Sequence, residues 1–152
     1  MGLFRRRERG GKDTIPDLVP IPPMSDLPTP KLQSSARYLG TVTDEGVKVV
    51  GKTLSAKSSS RLHLSEEALD VVRMAGSFRI PVAAMRGATS AGEFEGAPVD
   101  ALLVVRWEHG EQQWRTGFRM ESGKSIRSDA TPPDVDQWVR TISKMARKAG
   151  EN

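Results

Sequence analysis

The stretch Leu102–Met120, LLVVRWEHGEQQWRTGFRM, decides the fold, because it predicts two β-strands joined by a tight turn. A two-residue turn at His109–Gly110 sets the register of this predicted hairpin. The register places four opposed pairs on one inward face: Val105 with Trp114, Leu103 with Thr116, Ala101 with Phe118 and Trp107 with Gln112. The turn and the periodicity agree, so we expect an antiparallel hairpin with one buried face.

Three arginines alternate on the outward face of the predicted hairpin: Arg106, Arg115 and Arg119. Arginines at such positions on adjacent strands form a basic patch, which is a candidate ligand-binding surface. The alternative is that the patch only keeps the open face of a sheet solvated. Nucleic-acid binding is not expected, because stacking aromatic side chains should lie among the basic residues and the tryptophans are assigned to buried faces.

Upstream of the hairpin, short apolar segments predict further strands: Tyr38–Val42, Val47–Leu54, Ser60–Leu64 and Phe78–Pro81. The segment Ser65–Met74 leaves two alternatives open. A serine followed by two glutamates is typical of a helix N-terminus, whereas Leu69–Val72 suits a strand. We favour the strand, in a hairpin that places Leu62 opposite Val71. The glycine-rich stretch Gly87–Gly96 predicts a mobile loop.

The last predicted element is an amphipathic helix. Thr131 suits the N-cap, Pro132 suits the first helical position and Gly150 ends the pattern. One face carries apolar residues at helical spacing: Val135, Trp138, Val139, Ile142 and Met145. We expect this stripe to cover one opening of a small barrel or one face of a sheet, with Trp138 as its largest anchor.

The order of elements predicts a mainly β fold. About seven short strands precede one C-terminal amphipathic helix, and strands do not alternate with helices as they would in a parallel sheet. We therefore expect a small antiparallel barrel or sandwich over residues 36–150. Residues 1–35 hold six of the ten prolines and predict a disordered linker with polyproline character.

The first twelve residues carry the chain's surplus charge. They hold five basic residues, Arg5, Arg6, Arg7, Arg9 and Lys12, against one glutamate, and the whole chain has a net charge of +4. Basic residues beside an anionic membrane contribute roughly 1 kcal/mol each, so this cluster is a candidate membrane-surface tail. The alternative is a disordered basic N-terminus without a ligand. No apolar run is long enough to cross a bilayer.

The composition excludes most catalytic and metal sites. The chain has no cysteine and two histidines, which predicted strands and turns do not bring together. Its loop carboxylates lack the apolar surroundings that raise a pKa for acid catalysis, and no nucleotide-binding or zinc-protease motif is present. We therefore expect neither an enzyme, nor a bound cofactor, nor a metal.

A second basic group surrounds the serine-rich loop 55–60. It consists of Lys48, Lys52, Lys57 and Arg61. Lysines and serine hydroxyls near a hairpin tip could hold a phosphate, which makes these residues a candidate ligand site. The alternative is a solvated loop that is basic without binding anything.

Four short motifs, in order along the chain, resemble the actinobacterial PH-like domain family: Tyr38–Thr41, Ile80–Pro81, Leu103–Gly110 and Thr116–Arg119. The genes of this family are often found near those for carbamoyl-phosphate synthase and dihydroorotase, and its members are often described as export or membrane proteins or transporters. The resemblance implies a bent seven-stranded antiparallel barrel closed by a C-terminal helix. It carries no functional residues over to this chain.

Members of that family usually begin with a transmembrane helix, followed by a basic segment and a proline-rich linker. This chain has the last two, so its basic cluster corresponds to the juxtamembrane segment of a truncated or naturally anchorless form. Basic residues after such a helix imply a cytoplasmic domain, free or peripheral at the inner face of the plasma membrane.

PH-like folds bind phosphoinositides, peptides or partner domains, and the fold alone does not choose among them. We expect a non-enzymatic module that recruits a protein partner, by edge-strand addition or in the groove beside the C-terminal helix. One alternative is a module for anionic membranes or ligands that uses the basic tail and the 48–61 loop. Another is a regulator of pyrimidine biosynthesis, suggested only by the gene neighbourhood of the family.

Overall fold

The computed structural model describes residues 17–23, 26–90, 92–121 and 134–150. In these residues nine strands precede one helix: β1 (Leu32–Thr43), β2 (Ser58–Leu64), β3 (Ala68–Arg73), β4 (Phe78–Pro81), β5 (Met85–Thr89), β6 (Glu93–Phe94), β7 (Ala97–Pro98), β8 (Leu102–His109), β9 (Gln112–Glu121) and α1 (Val135–Gly150). The predicted mainly β architecture with one C-terminal helix is confirmed.

Seven strands form one antiparallel sheet in the order β4-β3-β2-β1-β9-β8-β5, while β6 and β7 form a separate small hairpin. The twelve-residue strand β1 pairs with β2 on one side and β9 on the other, so it joins the two halves of the sheet. Its pairing with β9 shifts register between Tyr38 and Gly40, where a bulge bends the strand.

The central hairpin has the predicted buried face but a different register. Trp107 pairs with Trp114 and Val105 pairs with Thr116, so the predicted partners of both residues were wrong. The two-residue loop is formed by Gly110 and its successor, because Gly110 has a φ of 64°, which glycine adopts readily at the first loop position. Moving the loop by one residue shifts the pairing by two positions, which keeps the alternation of the two strands. Two residues predicted on the buried face, Ala101 and Gln112, are nevertheless exposed. Ala101 precedes β8, and Phe118 pairs with Leu103 instead of the predicted Ala101.

Two other predicted segments are corrected by the structure. The segment Val47–Leu54 is not a strand: Lys48 forms an isolated bridge to Val42 and Gly51–Thr53 is a single 3-10 turn. The buried and exposed apolar residues of this segment do not follow the two-residue period of a strand. The segment therefore does not present one apolar face to the core. The predicted mobile loop at 87–96 instead contains the end of β5 and all of β6.

The open choice at Ser65–Met74 is settled in favour of the strand. Residues 68–73 form β3, and Leu62 pairs with Val71 as predicted. In β3, the consecutive residues Leu69, Asp70 and Val71 are all fully buried. This is the pattern of a strand that is covered on both faces.

Helix α1 begins four residues after the predicted N-cap. The backbone N–H of Gln137 donates to Asp134 Oδ1 at 2.9 Å, so Asp134 caps the helix. Thr131 and Pro132 lie outside the described residues. The predicted apolar stripe is confirmed, since Trp138 and Ile142 are fully buried against the sheet and its other members are partly buried.

Part of the expected linker lies against the sheet. Leu18 packs on the hydrophobic core, and Val19 accepts a backbone hydrogen bond of 3.0 Å from Arg79 in β4. Strand β1 begins at Leu32, inside the segment expected to precede the domain. Residues 17–23 therefore cover the free edge of β4.

A chain of hydrogen bonds crosses the core. Trp107 Nε1 donates to Thr116 Oγ1 at 2.9 Å, and Thr116 Oγ1 lies 2.9 Å from Thr41 Oγ1. Thr41 Oγ1 lies 2.7 Å from the hydroxyl of Tyr38, which donates to the carbonyl of Leu54 at 2.6 Å. An indole can only donate and a carbonyl can only accept, so the ends fix the direction of every hydroxyl between them.

Tyr38 should resist ionisation in the folded protein. Burial raises the pKa of Tyr38 to about 12 from its ordinary value of 10.0, and the nearby guanidinium of Arg73 opposes this shift only in part. A folded-state pKa above the unfolded one gives stability that is fully present below pH 10 and is lost as pH rises through 12. The loss of folding stability that follows from this rise in pKa is on the order of 3 kcal/mol.

This expectation can be measured directly, because Tyr38 is the only tyrosine in the chain. Tyrosinate absorbance of the folded protein should rise well above pH 10, together with unfolding seen in tryptophan fluorescence. The urea-unfolded chain should titrate near 10, its ordinary value. Ionisation near pH 10 with an intact fold would show that the hydroxyl is not held as described.

Candidate functional site

The candidate loop site does not come together as one pocket. Lys48, Lys57 and Arg61 are exposed. Lys48 pairs with Val42 near one end of β1, whereas Arg61 pairs with Ser35 near the other. Seven residues of strand separate these two positions on β1, which corresponds to roughly 20 Å. A single phosphate could not contact both side chains. Lys52 lies in the 3-10 turn, between these two positions in the chain.

A buried arginine that sequence reasoning missed holds this loop to the sheet. Arg73 Nη1 donates to the carbonyls of Thr53 and Ala56 at 3.1 and 3.2 Å. Its guanidinium lies 4.3 Å from the ring centre of Tyr38, and burial lowers the pKa of Arg73. Arg73 thus has a structural role, and its signal in the sequence was hidden because a strand-end arginine usually faces solvent.

The predicted arginine patch on the outer face is divided. Arg115 is drawn toward the end of β1, where it donates to the carbonyl of Thr43 at 3.2 Å. The ring of Phe94 in β6 covers Gly117, so close that an added Cβ would lie 2.8 Å from it. This ring separates Arg115 from Arg119 on β9. Arg119 is therefore separated from Arg115, whereas Arg106 pairs directly with Arg115 across the two strands.

Arg106 instead points toward a groove between β5 and α1. Its Nη1 lies 3.4 Å from the position that a Cβ on Gly87 would occupy, so the side chain crosses over β5. The groove, here called the β5–α1 groove, has a volume of about 730 Å³. Small residues from both elements line it: Ala83, Gly87, Ala88, Ala146, Ala149 and Gly150. Because these residues are small, the floor of the groove lies close to the backbones of β5 and α1.

Three arginines give the β5–α1 groove a positive rim. Arg86 is neutralised by Glu108, whose carboxylate accepts from Arg86 Nη2 at 2.5 Å. Arg106 and Arg147 make no ion pair with any residue that the structure describes. The groove therefore combines a small apolar floor with two uncompensated cations, which suits a peptide that carries an acidic side chain.

A family model described as Bacterial PH domain-like matches residues 15–132. The chain belongs to the bacterial PH domain-like family. A comparison with curated proteins found no match. The match covers all nine strands, while α1 and its side of the β5–α1 groove lie beyond the matched residues. Membership supports a non-enzymatic interaction module in general, in agreement with the resemblance seen in the sequence motifs.

In this bacterial PH domain-like chain, Ser143 of α1 occupies the free edge of β5. The hydroxyl of Ser143 donates to the carbonyl of Ala88 and accepts from the N–H of Ala88, both at 3.3 Å. Neither Ser143 nor Arg147 was selected from the sequence as a candidate site residue. Their four-residue spacing beside the apolar stripe was the available signal.

The basic tail, Arg5, Arg6, Arg7, Arg9 and Lys12, lies outside the described residues. Within the described part of this bacterial PH domain-like chain, no helix is both long and apolar enough to cross a bilayer. The same residues contain no cluster of three or more metal-ligating side chains.

Proposed function

We propose that this bacterial PH domain-like protein is a non-enzymatic module that binds a segment of a partner protein in the β5–α1 groove. The module would act in the cytoplasm or at the inner face of the plasma membrane. The observation that carries the proposal is the pair of arginines, Arg106 and Arg147, on the rim of a groove with a small apolar floor, where neither forms an ion pair with a described residue. Such a groove accepts an extended chain and selects an acidic side chain.

The structure favours groove docking over edge-strand addition. Both outer strands of the sheet are already covered, β4 by Val19 and β5 by Ser143. A strand added at β5 would have to displace both hydrogen bonds between Ser143 and Ala88. A peptide lying in the groove keeps those bonds, so it binds without that cost.

The test compares charge reversals in the full chain. Arg106→Glu and Arg147→Glu should each weaken binding of the partner by about tenfold, since each removes a charge-assisted contact and adds repulsion. Lys57→Glu, an exposed lysine away from the groove, makes the same change in charge and should leave affinity within about twofold.

The partner is first captured from the protein's own cells and then purified for direct binding measurements. Direct binding that is lost in both groove variants and kept in Lys57→Glu supports the proposal. A purified partner that binds all of these variants equally would contradict groove docking.

A second candidate function, binding to an anionic membrane surface, is favoured by exposed apolar side chains at one end of the sheet. Val47, Val50 and Met74 are 62%, 53% and 98% exposed. They lie on two loops that meet where Gly76 approaches Thr53, and Lys48 lies between the two valines. Apolar tips beside lysines are typical of surfaces that enter the interfacial region of a bilayer.

Co-sedimentation with phosphatidylglycerol vesicles tests this candidate in the full chain. Replacing the five basic tail residues by alanine and, separately, replacing Val47 and Met74 by serine distinguishes the tail from the loops. If the Val47 and Met74 variant no longer sediments with the vesicles, the loops bind the lipid. If only the variant with alanines in the tail fails to sediment, the tail binds the lipid. Vesicles that sediment neither the wild type nor the variants at low salt would remove the membrane function.

A further inference from the structure

Helix α1 carries a second set of cations, on the surface beside the residues that line the β5–α1 groove. Arg140, Lys144 and Lys148 follow one another at four-residue spacing, so they form a row about 12 Å long. They line a second groove of about 770 Å³ between α1 and the start of β1, with Lys31 on its far wall. We name it the basic α1 groove.

Helix stability does not explain this row. Like charges at four-residue spacing destabilise a helix, and only the last turn gains from cations beside the negative end of the dipole. Arg140 lies in the middle of α1. No described residue forms an ion pair with Arg140, Lys144 or Lys148, whereas Lys31 pairs with Glu66 at 3.5 Å. The row therefore keeps three uncompensated charges next to one another.

The shape of the groove favours a polypeptide over a membrane. Two partly buried apolar residues, Val82 and Met145, lie among its lining residues, and Glu66 places a carboxylate on its wall. A flat anionic bilayer would not follow a groove and would not reach these partly buried apolar residues. An acidic segment with an apolar residue between its carboxylates matches both the cation row and the apolar contacts.

The chain itself does not supply such a segment. Residues 1–16 hold five basic and two acidic residues, and residues 122–133 hold two basic residues and one acidic residue. These two longer segments outside the described residues are thus net positive, and they would be repelled from the row. Glu151 and Asn152, which follow the helix, are too short to supply several spaced carboxylates. We therefore look for the occupant in another molecule.

We propose that the basic α1 groove binds an acidic segment of a partner protein, with carboxylates spaced about 6 Å apart to match the row. The cations of this site differ from those of the β5–α1 groove, although Ala149 lines both grooves.

The probe is a short labelled peptide in which glutamate and leucine alternate, so that successive carboxylates of an extended chain lie about 6–7 Å apart. Binding to the full chain is measured by fluorescence anisotropy at low salt and mapped by amide chemical shifts. The triple variant Arg140→Glu, Lys144→Glu, Lys148→Glu should bind at least about tenfold more weakly than wild type. Chemical shifts should map to α1, Lys31 and Val82.

The control triple variant Lys48→Glu, Lys57→Glu, Arg61→Glu changes the net charge equally. It should keep the peptide affinity within about twofold, which separates the groove from general attraction to the basic tail. If the α1 triple variant does not fold, Lys144→Gln alone should weaken binding about two- to threefold. The proposal would be overturned if both triple variants lost peptide affinity equally. It would also be overturned if the amide chemical shifts changed only at other residues, or if the peptide did not bind wild type. If wild type binds phosphatidylglycerol vesicles but not the peptide, and the α1 triple variant loses vesicle binding, the row would instead belong to a lipid surface.

Discussion

Asp70→Ala is expected to lower the free energy of unfolding by about 3–5 kcal/mol, the largest polar effect in the molecule. Asp70 is fully buried in β3 and accepts two hydrogen bonds from Arg79 in β4, at 2.7 and 3.1 Å. The side chain of Arg79 is only 12% exposed. Removing Asp70 would leave this guanidinium largely desolvated, with the exposed carboxylate of Glu67 at 3.7 Å as a weaker partner.

Glu67→Gln provides the matched control in the same cluster. Glu67 lies 3.7 Å from Arg79, but its side chain is 64% exposed, so the change should cost less than about 0.5 kcal/mol. Urea unfolding followed by tryptophan fluorescence measures both variants. Arg79 also donates its backbone N–H to Val19, so Asp70→Ala should raise hydrogen exchange in residues 17–23. Equal stability of the two variants would show that the buried pair contributes nothing.

Trp138→Ala is expected to destabilise the protein by a similar amount, about 3–5 kcal/mol. Trp138 is fully buried where α1 packs on the sheet, and alanine would leave a cavity that β5 and β8 could fill only by moving. The released helix would also take Ser143 away from the edge of β5. The variant should therefore lose both stability and the β5–α1 groove.

Trp138→Phe separates ring packing from the indole N–H. Trp138 Nε1 is buried without a hydrogen-bond partner among the described residues, so phenylalanine removes an unpaired donor while keeping most of the apolar ring. The phenylalanine variant should lose only about 1 kcal/mol, since an unpaired donor contributes nothing favourable. Thermal unfolding followed by circular dichroism compares the two variants. A phenylalanine variant as unstable as the alanine variant would assign Trp138 a polar role.

The sequence predicted which residues are buried better than it predicted how they pair. The two faces of the β8–β9 hairpin depend only on alternation, so Trp107 and Trp114 were correctly assigned to the core. Their pairing depends on whether Gly110 is the first or the second loop residue, a difference in turn type that its neighbours do not reveal. In Val47–Leu54, the valines and leucine fit a strand equally well on composition alone.

The candidate site was less accessible to sequence reasoning, because residues far apart in the chain form it. Arg106 was chosen as part of a patch with Arg115, but Gly87 lets its side chain cross β5 toward Arg147. Nothing in the local sequence of β8 encodes that approach. The cation row on α1 was visible as a charge pattern, yet its lack of counter-charges depends on tertiary neighbours.

Site-specific photo-crosslinking most directly tests the claim that a partner docks in the β5–α1 groove. The full chain, carrying benzoylphenylalanine in place of Ala83, is irradiated in the cells that produce it. Ala83 is exposed on the rim of the groove, and the 98% exposed Met74 provides a control position on a distant loop. We predict one dominant protein adduct at position 83 that Arg147→Glu abolishes, and no corresponding adduct at position 74. An adduct at position 83 that Arg147→Glu leaves unchanged, or no adduct there at all, would contradict the account.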